Sequence, residues 1–351
     1  MSSQFPTVTW FTADKGEIFM SKKVLVLGST GAMGQYIVPY LADMGYSVTA
    51  VSLDDEKPYN EKVTCVKGDA KDKAFLSGLL SQKFDGVVDF MIYGNYTFKD
   101  YYKLFLENTA HYIFLSSCRV YANEETPINE ASPRLLDYST DPALLASDDY
   151  CIHKAKSENI LMTSNYKNWT IVRPATTFSK MRYQLVTLEA INCVGRAQRG
   201  QKVILPLQAK NIPATLCWAG DVSMMIAKLL FNEDAKREIF NVCSSEHRTW
   251  GEIADYYNKI CGLEAVWVDK EDYLKILSPE LNLGVRWQLE YARMFNRITD
   301  NSKVLKYTGM KQEELTPLYD ALKMMVETVP EGYVFPETDV SRRMDAYLEG
   351  K

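Results

Sequence analysis

Lys23-Val-Leu-Val-Leu-Gly-Ser-Thr-Gly-Ala-Met-Gly34 joins a short, β-rich apolar run to a turn punctuated by Gly28, Gly31 and Gly34. Residues 35–43 then follow a helical period, and residues 46–51 return to strand-like composition. Together they predict a β-turn-α-β unit. Glycine lets the backbone turn tightly and leaves room for a pyrophosphate at the helix N-terminus, where free N–H groups and the helix dipole favour negative charge. The spacing G-x-x-G-x-x-G is weak alone, because glycines also pack a helix closely against a strand. At the head of an alternating chain it points to a dinucleotide, with Gly28, Thr30, Gly31, Ala32, Met33 and Gly34 as contacts.

The alternation continues. Strand-like runs at residues 63–66, 86–92, 112–116 and 170–173 are separated by helical stretches near 71–82, 98–107 and 149–164. Such alternation predicts a parallel sheet with helices on both faces, an α/β, Rossmann-type doubly wound domain over residues 22–178. After Pro174 the pattern weakens. Residues 184–200 read as one long helix, 203–205 as a strand, 221–232 as an amphipathic helix and 239–242 as another strand. Residues 249–261 and 315–328 read as further helices. The chain is expected to return to the sheet at about 216–243, leaving a smaller mixed substrate-binding lobe from 179–215 and 244–335. Residues 336–351 read as a tail, and 1–21 as an extension that Trp10 and Phe11 would help to order.

Composition narrows the function. Of 351 residues, 46% are hydrophobic and 24% charged, with 18 Gly and 13 Pro, which excludes collagen, coiled-coil arrays and a disordered chain. A net charge of −5 offers no field for a polyanion, so nucleic acid and membrane surfaces are disfavoured and a small-molecule partner is expected. Seven cysteines without a C-x-x-C pair, and three histidines without H-x-x-x-H spacing, predict neither a disulfide framework nor a metal site. No apolar run approaches the ~18 residues of a membrane span, and Asp14, Lys15 and Glu17 fall where a signal peptide needs its apolar core. A cytoplasmic location follows as the expectation.

The second informative site pairs Ser117 with Tyr150 and Lys154. Ser117 ends an apolar strand, and so lies at the carboxyl edge of the sheet, where open α/β folds bind ligands. Tyr150 and Lys154 are four apart and share a helix face. A tyrosine near pKa 10 must fall by about 3 units, roughly 4 kcal/mol, to exchange protons near neutrality. A neighbouring ammonium is one source. Among 22 tyrosines, Tyr150, Tyr307, Tyr319 and Tyr347 all have Lys four residues on, but only Tyr150 lies between the strand ending at Ser117 and the one ending at Arg173-Pro174. Ser52 occupies the position that discriminates the adenosine ribose. It is neither acidic nor followed by an arginine, while Asp54 and Asp55 disfavour added negative charge, so NAD and NADP both remain open.

Several motifs in order resemble one family. Gly28-x-x-Gly-x-x-Gly34, Gly68-Asp69-Ala70, Phe-Leu-Ser-Ser117-Cys-Arg-Val-Tyr121, Tyr150-x-x-x-Lys154, Ile171-Val-Arg-Pro174, Trp218-Ala-Gly-Asp221-Val, Phe240-Asn241-Val and Thr299-Asp300-Asn-Ser-Lys303 cover most of residues 22–330. They resemble the extended short-chain dehydrogenases/reductases, the nucleotide-sugar epimerase and dehydratase group. The resemblance implies that Tyr150 is the acid/base, that Ser117 polarises the reacting hydroxyl, and that Lys154 holds the nicotinamide ribose and lowers the tyrosine pKa. It further implies Asp69 and Ala70 beside the adenine, Phe90, Met91 and Ile92 beside the cofactor, and Pro174 and Thr176 bordering nicotinamide and substrate.

Substrate contacts are expected from Ser117, Tyr93, Thr176, Arg182 and Arg293, with Arg286, Arg297, Lys180 and Tyr183 as further candidates for gripping a diphosphate. An arginine-studded helix surface is the plainer reading of that segment. A homodimer is expected through residues 98–107 and the Tyr150 helix, using Tyr101, Tyr102, Phe105, Ile152 and Ile160. Two departures matter. Relatives that dehydrate sugars carry Asp-Glu where this chain has Cys118-Arg119, which disfavours elimination of water. Asp89-Phe-Met-Ile-Tyr93 replaces a small Ala/Gly-rich turn, predicting a bulkier, more apolar pocket. The expected function is NAD(P)-dependent hydride transfer at a secondary alcohol or ketone of a nucleotide sugar, as an oxidoreductase or epimerase. Two alternatives stand beside it: an NADP-dependent reductase of a small carbonyl compound, and a non-catalytic nucleotide- or RNA-binding scaffold on the same fold.

Overall fold

A computed structural model describes residues 21–94 and 97–350. Apart from Ser21, the expected N-terminal extension with Trp10 and Phe11 lies outside the described residues. Seven parallel strands form the central sheet: β1 (Lys23–Leu27), β2 (Ser47–Ser52), β3 (Val63–Lys67), β4 (Phe84–Asp89), β5 (Thr109–Leu115), β6 (Trp169–Pro174) and β7 (Ile239–Val242). Their spatial order is β7-β6-β5-β4-β1-β2-β3. The chain moves one way from β1 to β3 and the other way from β4 to β7, so a crevice opens between β1 and β4 where the direction switches.

Side chains alternate across a strand, and here both faces are covered. Val24 and Val26 of β1 pack with Ile37 and Leu41 of the helix Gly34–Asp43, while Leu25 and Leu27 pack on the other face with Leu76, Leu80 and Phe105. This explains why the strands read as continuous apolar runs. A separate core fills the C-terminal lobe, around Trp250, Tyr257, Tyr273 and Leu322.

Several boundaries differ from the sequence reading. Residues 184–200 are not one helix. Gln184–Leu185 and Leu188–Glu189 form an antiparallel hairpin, followed by a 3-10 turn at Ala190–Asn192 and a short helix at Val194–Gln198. Val186 turns this hairpin at φ 53°, a conformation disfavoured for a β-branched residue and imposed by packing, since Leu185, Val186 and Leu188 are all buried. Their spacing mimics a helical stripe. Residues 98–107 divide into a 3-10 turn, Phe98–Asp100, and a short helix, Tyr102–Leu106. The strand expected to run to residue 92 stops at Asp89, whose carboxylate accepts from the Met91 N–H at 2.9 Å and bends the chain out of the sheet. Residues 336–351, read as a tail, include the helix Asp339–Glu349; buried Arg196 holds it through Asp345 at 2.5 Å and Ser341 at 2.6 Å. Of the residues expected at a dimer face, Phe105 and Ile152 are fully buried within the chain.

Candidate active site

Leu27 of β1 lies level with Val51 of β2 and Asp89 of β4, so three strand ends open onto one crevice. Gly28 leaves β1 at φ +81°, in the left-handed region, with its N–H on the Val51 carbonyl at 2.9 Å. Gly34 starts the first helix; a Cβ there would stand 2.3 Å from the Gly28 carbonyl oxygen. The N-cap, Met33, makes no side-chain hydrogen bond, and the first turn holds no acidic residue. The helix start therefore carries neither a side-chain cap nor a first-turn carboxylate, and it borders a cleft of about 410 Å³.

Gly28, Thr30, Gly31, Ala32, Met33, Gly34, Ser52, Asp69, Ala70, Phe90, Met91, Ile92 and Tyr150 line that cleft, joined by Leu53, Asp54 and Arg182. The bulky, apolar wall expected after β4 is present. Lys154, Pro174 and Thr176 are not on this wall: Lys154 and Pro174 are buried, and the Thr176 hydroxyl accepts from Arg293 at 2.9 Å.

Ser117 follows β5, and Tyr150 and Lys154 lie one turn apart on the helix Tyr150–Met162, capped by Asp149. Tyr150 is partly buried. Burial raises its phenol above the ordinary value of 10.0, while the Arg119 cation and then the Ser117 hydroxyl pull it down. Lys154 is fully buried; its Nζ donates to the Leu115 carbonyl at 2.6 Å and the Met91 carbonyl at 3.2 Å, and lies 5.7 Å from the Tyr150 ring centre. Burial pushes the lysine down to about 8, against the opposing carboxylates of Asp89 and Glu158. Lys154 is thus not the sole cation on Tyr150. The Arg119 guanidinium stands 5.5 Å from the same ring centre and pairs with Asp149 at 3.0 Å. Sequence reasoning misses Arg119 as a site residue, although its place two residues beyond Ser117 was a usable signal. It also misses His153, buried edge-on to the Tyr150 ring at 5.3 Å and held by burial down to about 4.

Two buried networks support the pair. Asp89 accepts from Tyr112 at 2.6 Å and Tyr93 at 3.1 Å. Tyr93, expected at the substrate, is therefore buried beneath the cleft with its hydroxyl committed. Asp89 holds the Met91 N–H and Lys154 holds the Met91 carbonyl, which ties the end of β4 to the Tyr150 helix. Glu158, on that helix, accepts from Ser116 at 2.5 Å, Arg134 at 3.0 Å and Arg173 at 2.8 and 2.7 Å. Arg173 also reaches Tyr121 at 2.8 Å, whose hydroxyl donates to Asn241 of β7 at 2.6 Å.

On the substrate side, Arg293 donates to the Val186 carbonyl at 2.8 Å as well as to Thr176, and burial, reinforced by Arg119 and Arg297, holds it down to about 10. Arg297 is buried against the Tyr121 carbonyl at 3.0 Å. Arg286 instead pairs with Glu271 at 2.6 Å and Glu290 at 3.0 Å, so it is not a free phosphate ligand. Arg182 is exposed at the cleft, Lys180 is exposed, and Tyr183 is buried with its hydroxyl on the Met325 carbonyl at 2.8 Å. The other tyrosines with Lys four residues on serve packing: Tyr307 meets Phe240, Tyr319 meets Tyr256 and Tyr347 bonds Asp272.

Residues 24–243 match the pattern of the NAD dependent epimerase/dehydratase family. The chain belongs to this family. A curated relative, the chloroplast stem-loop binding protein of 41 kDa b from Arabidopsis thaliana, is 27% identical over 263 residues, 68% of this chain; the chain spans 64% of that relative's length. Among solved structures, the NAD complex of dTDP-glucose 4,6-dehydratase from Bacillus anthracis is similar at a TM-score of 0.65 and 15% identity, covering 88% of this chain and 96% of that one. The UDP-glucose complex of UDP-glucose 4-epimerase from Thermotoga maritima gives 0.61 and 17%, covering 87% and 97%. At these identities they establish the epimerase/dehydratase fold. No helix among the described residues is long and apolar enough to cross a membrane.

Proposed function

We propose that this epimerase/dehydratase-family protein moves a hydride at a secondary alcohol or ketone of a nucleotide sugar, as an NAD(P)-dependent oxidoreductase or epimerase with Tyr150 as acid/base. The observation that carries the reading is the Tyr150 phenol on the wall of the cleft that the glycine turn opens. The uncapped start of the first helix suits a pyrophosphate, and Asp69 and Ala70 suit the adenine end. When bound, the nicotinamide ring supplies or accepts the hydride. Tyr150 takes the proton from the alcohol or returns it to the ketone oxygen, Ser117 donates to that same oxygen, and Arg119 favours the phenolate. Lys154 fixes the Met91 and Leu115 carbonyls, and with them the spacing between the cleft floor and the Tyr150 helix.

Arg119 and Arg182 act on the phenol, and Arg293 and Arg297 lie close to Arg119; among the described residues Arg119 pairs with Asp149, while Arg293 and Arg297 donate to neutral oxygens only. That excess of cation supports an anionic substrate such as a nucleoside diphosphate sugar. Cys118 and Arg119 supply no second carboxylate for dehydration. The test is to denature the purified protein, identify any nucleotide released, and assay Tyr150→Phe on nucleotide sugars. Retained NAD favours an epimerase that returns the hydride to the same substrate; an empty site favours a reductase. Turnover in Tyr150→Phe should fall at least ~100-fold with the fold intact, and near-normal turnover on a confirmed substrate would overturn the assignment. The likeness to the Arabidopsis stem-loop binding protein favours a second reading, an RNA-binding scaffold, which the net charge of −5 opposes. Salt-dependent RNA retention by the purified chain would revive it.

A further inference from the structure

We propose that this chain selects NAD over NADP through Glu56, a carboxylate delivered by the loop after β2, instead of through the residue that ends β2. The proposal rests on the reading of the cleft as a dinucleotide site. Ser52 closes β2 with a neutral, buried side chain; its Oγ accepts from the Asp54 N–H at 3.1 Å, so the chain turns back at once. That turn returns Glu56 to the glycine turn. The buried Ser29 hydroxyl donates to Glu56 Oε2 at 2.7 Å, and Ser52 Oγ lies 3.4 Å from the same oxygen. Ser29 sits between Gly28 and Thr30, which line the cleft, and Glu56 lines a small recess that adjoins it, with Ser52 and Asp54 bordering both. The carboxylate therefore bridges the two segments that meet at the ribose end of a β-α-β nucleotide site. Its second oxygen, Oε1, has no hydrogen bond among the described residues and is left to accept from a ribose 2′-hydroxyl.

The surrounding charge points the same way. Asp54 stands on the cleft wall, and Asp55 is paired with Lys67 at 2.6 Å, both side chains exposed. Lys57 is exposed on the same loop. Among the described residues no arginine lines this end, and the lysine of the recess, Lys67, is held by Asp55; Arg182, which lines the cleft, lies near Tyr150 at the other end. A 2′-phosphate would meet Glu56 and Asp54 without the bidentate partner it needs.

Calorimetric titration of the full chain with NAD, NADP, ADP-ribose and ADP-ribose 2′-phosphate tests this, the last two reporting on the adenosine end alone. The unphosphorylated ligands should be favoured on the order of 100-fold. Glu56→Gln, an exposed substitution expected to melt as the wild type does, should narrow that preference about tenfold. Ser29→Ala, which frees the carboxylate but keeps its charge, should narrow it less. Equal wild-type affinities, or an unchanged preference in Glu56→Gln, would overturn the proposal while the dinucleotide reading stands. Failure of all four ligands to bind would overturn both.

Discussion

Burial favours the protonated form of the Tyr150 phenol, so the cations around it set the pH at which it can accept a proton. Arg119 is the largest of the influences that lower it. Arg119→Met should therefore raise the tyrosine pKa, and the alkaline rise in alcohol oxidation should move up by about one pH unit, while Arg119→Lys keeps most of the wild-type profile. An unmoved pH profile in a folded Arg119→Met enzyme would assign the arginine to holding Asp149 alone. The contrast with Glu56 is instructive. The proximity of Ser117, Tyr150 and Lys154 was legible because strand order and a four-residue spacing bring them together. The approach of Arg119 to Tyr150 and of Glu56 to the glycine turn was not, because it comes from the path of a turn after β5 and a loop after β2, which no periodicity encodes.

The Tyr150 helix keeps its register through Glu158, whose carboxylate is shared by Arg173 of β6, Arg134 and Ser116. A buried ion pair adds little over an apolar pair of the same volume, yet removing one partner strands a charge. Arg173→Met should cost about 3–5 kcal/mol in urea unfolding, and Arg173→Met combined with Glu158→Leu should recover part of it. A loss in the single variant under about 1 kcal/mol would mean that Arg134 alone satisfies Glu158. The motifs around Arg173 and Asn241 thus serve the scaffold, joining the helix, β6 and β7 through Tyr121. Strands β1, β4, β5 and β6 could be read from sequence because each is almost wholly buried and helical stretches separate most of them; β3, half exposed and joined to β2 by a loop, was legible as a short β-branched run. The hairpin at 184–189 could not, because its three buried apolar residues repeat at the spacing of a helix turn.

Association between chains has a narrower basis than the sequence implies. With Phe105 and Ile152 buried inside the protein, Tyr101, Tyr102 and Ile160 are the expected interface residues left partly exposed. A homodimer through them remains our expectation: the wild type should sediment as a dimer at micromolar concentration, and Tyr102→Glu with Ile160→Glu as a monomer. A monomeric wild type rules the dimer out. The order of the sheet carries a consequence for synthesis. β7 pairs with β6 but is encoded only after the lobe segments that separate them. As the chain emerges from a ribosome at roughly 5–20 residues per second, the outer edge of β6 stays bare for seconds. During that interval the nascent protein presents an unpaired strand to its neighbours, the geometry that chaperones shield and that a second growing chain can invade.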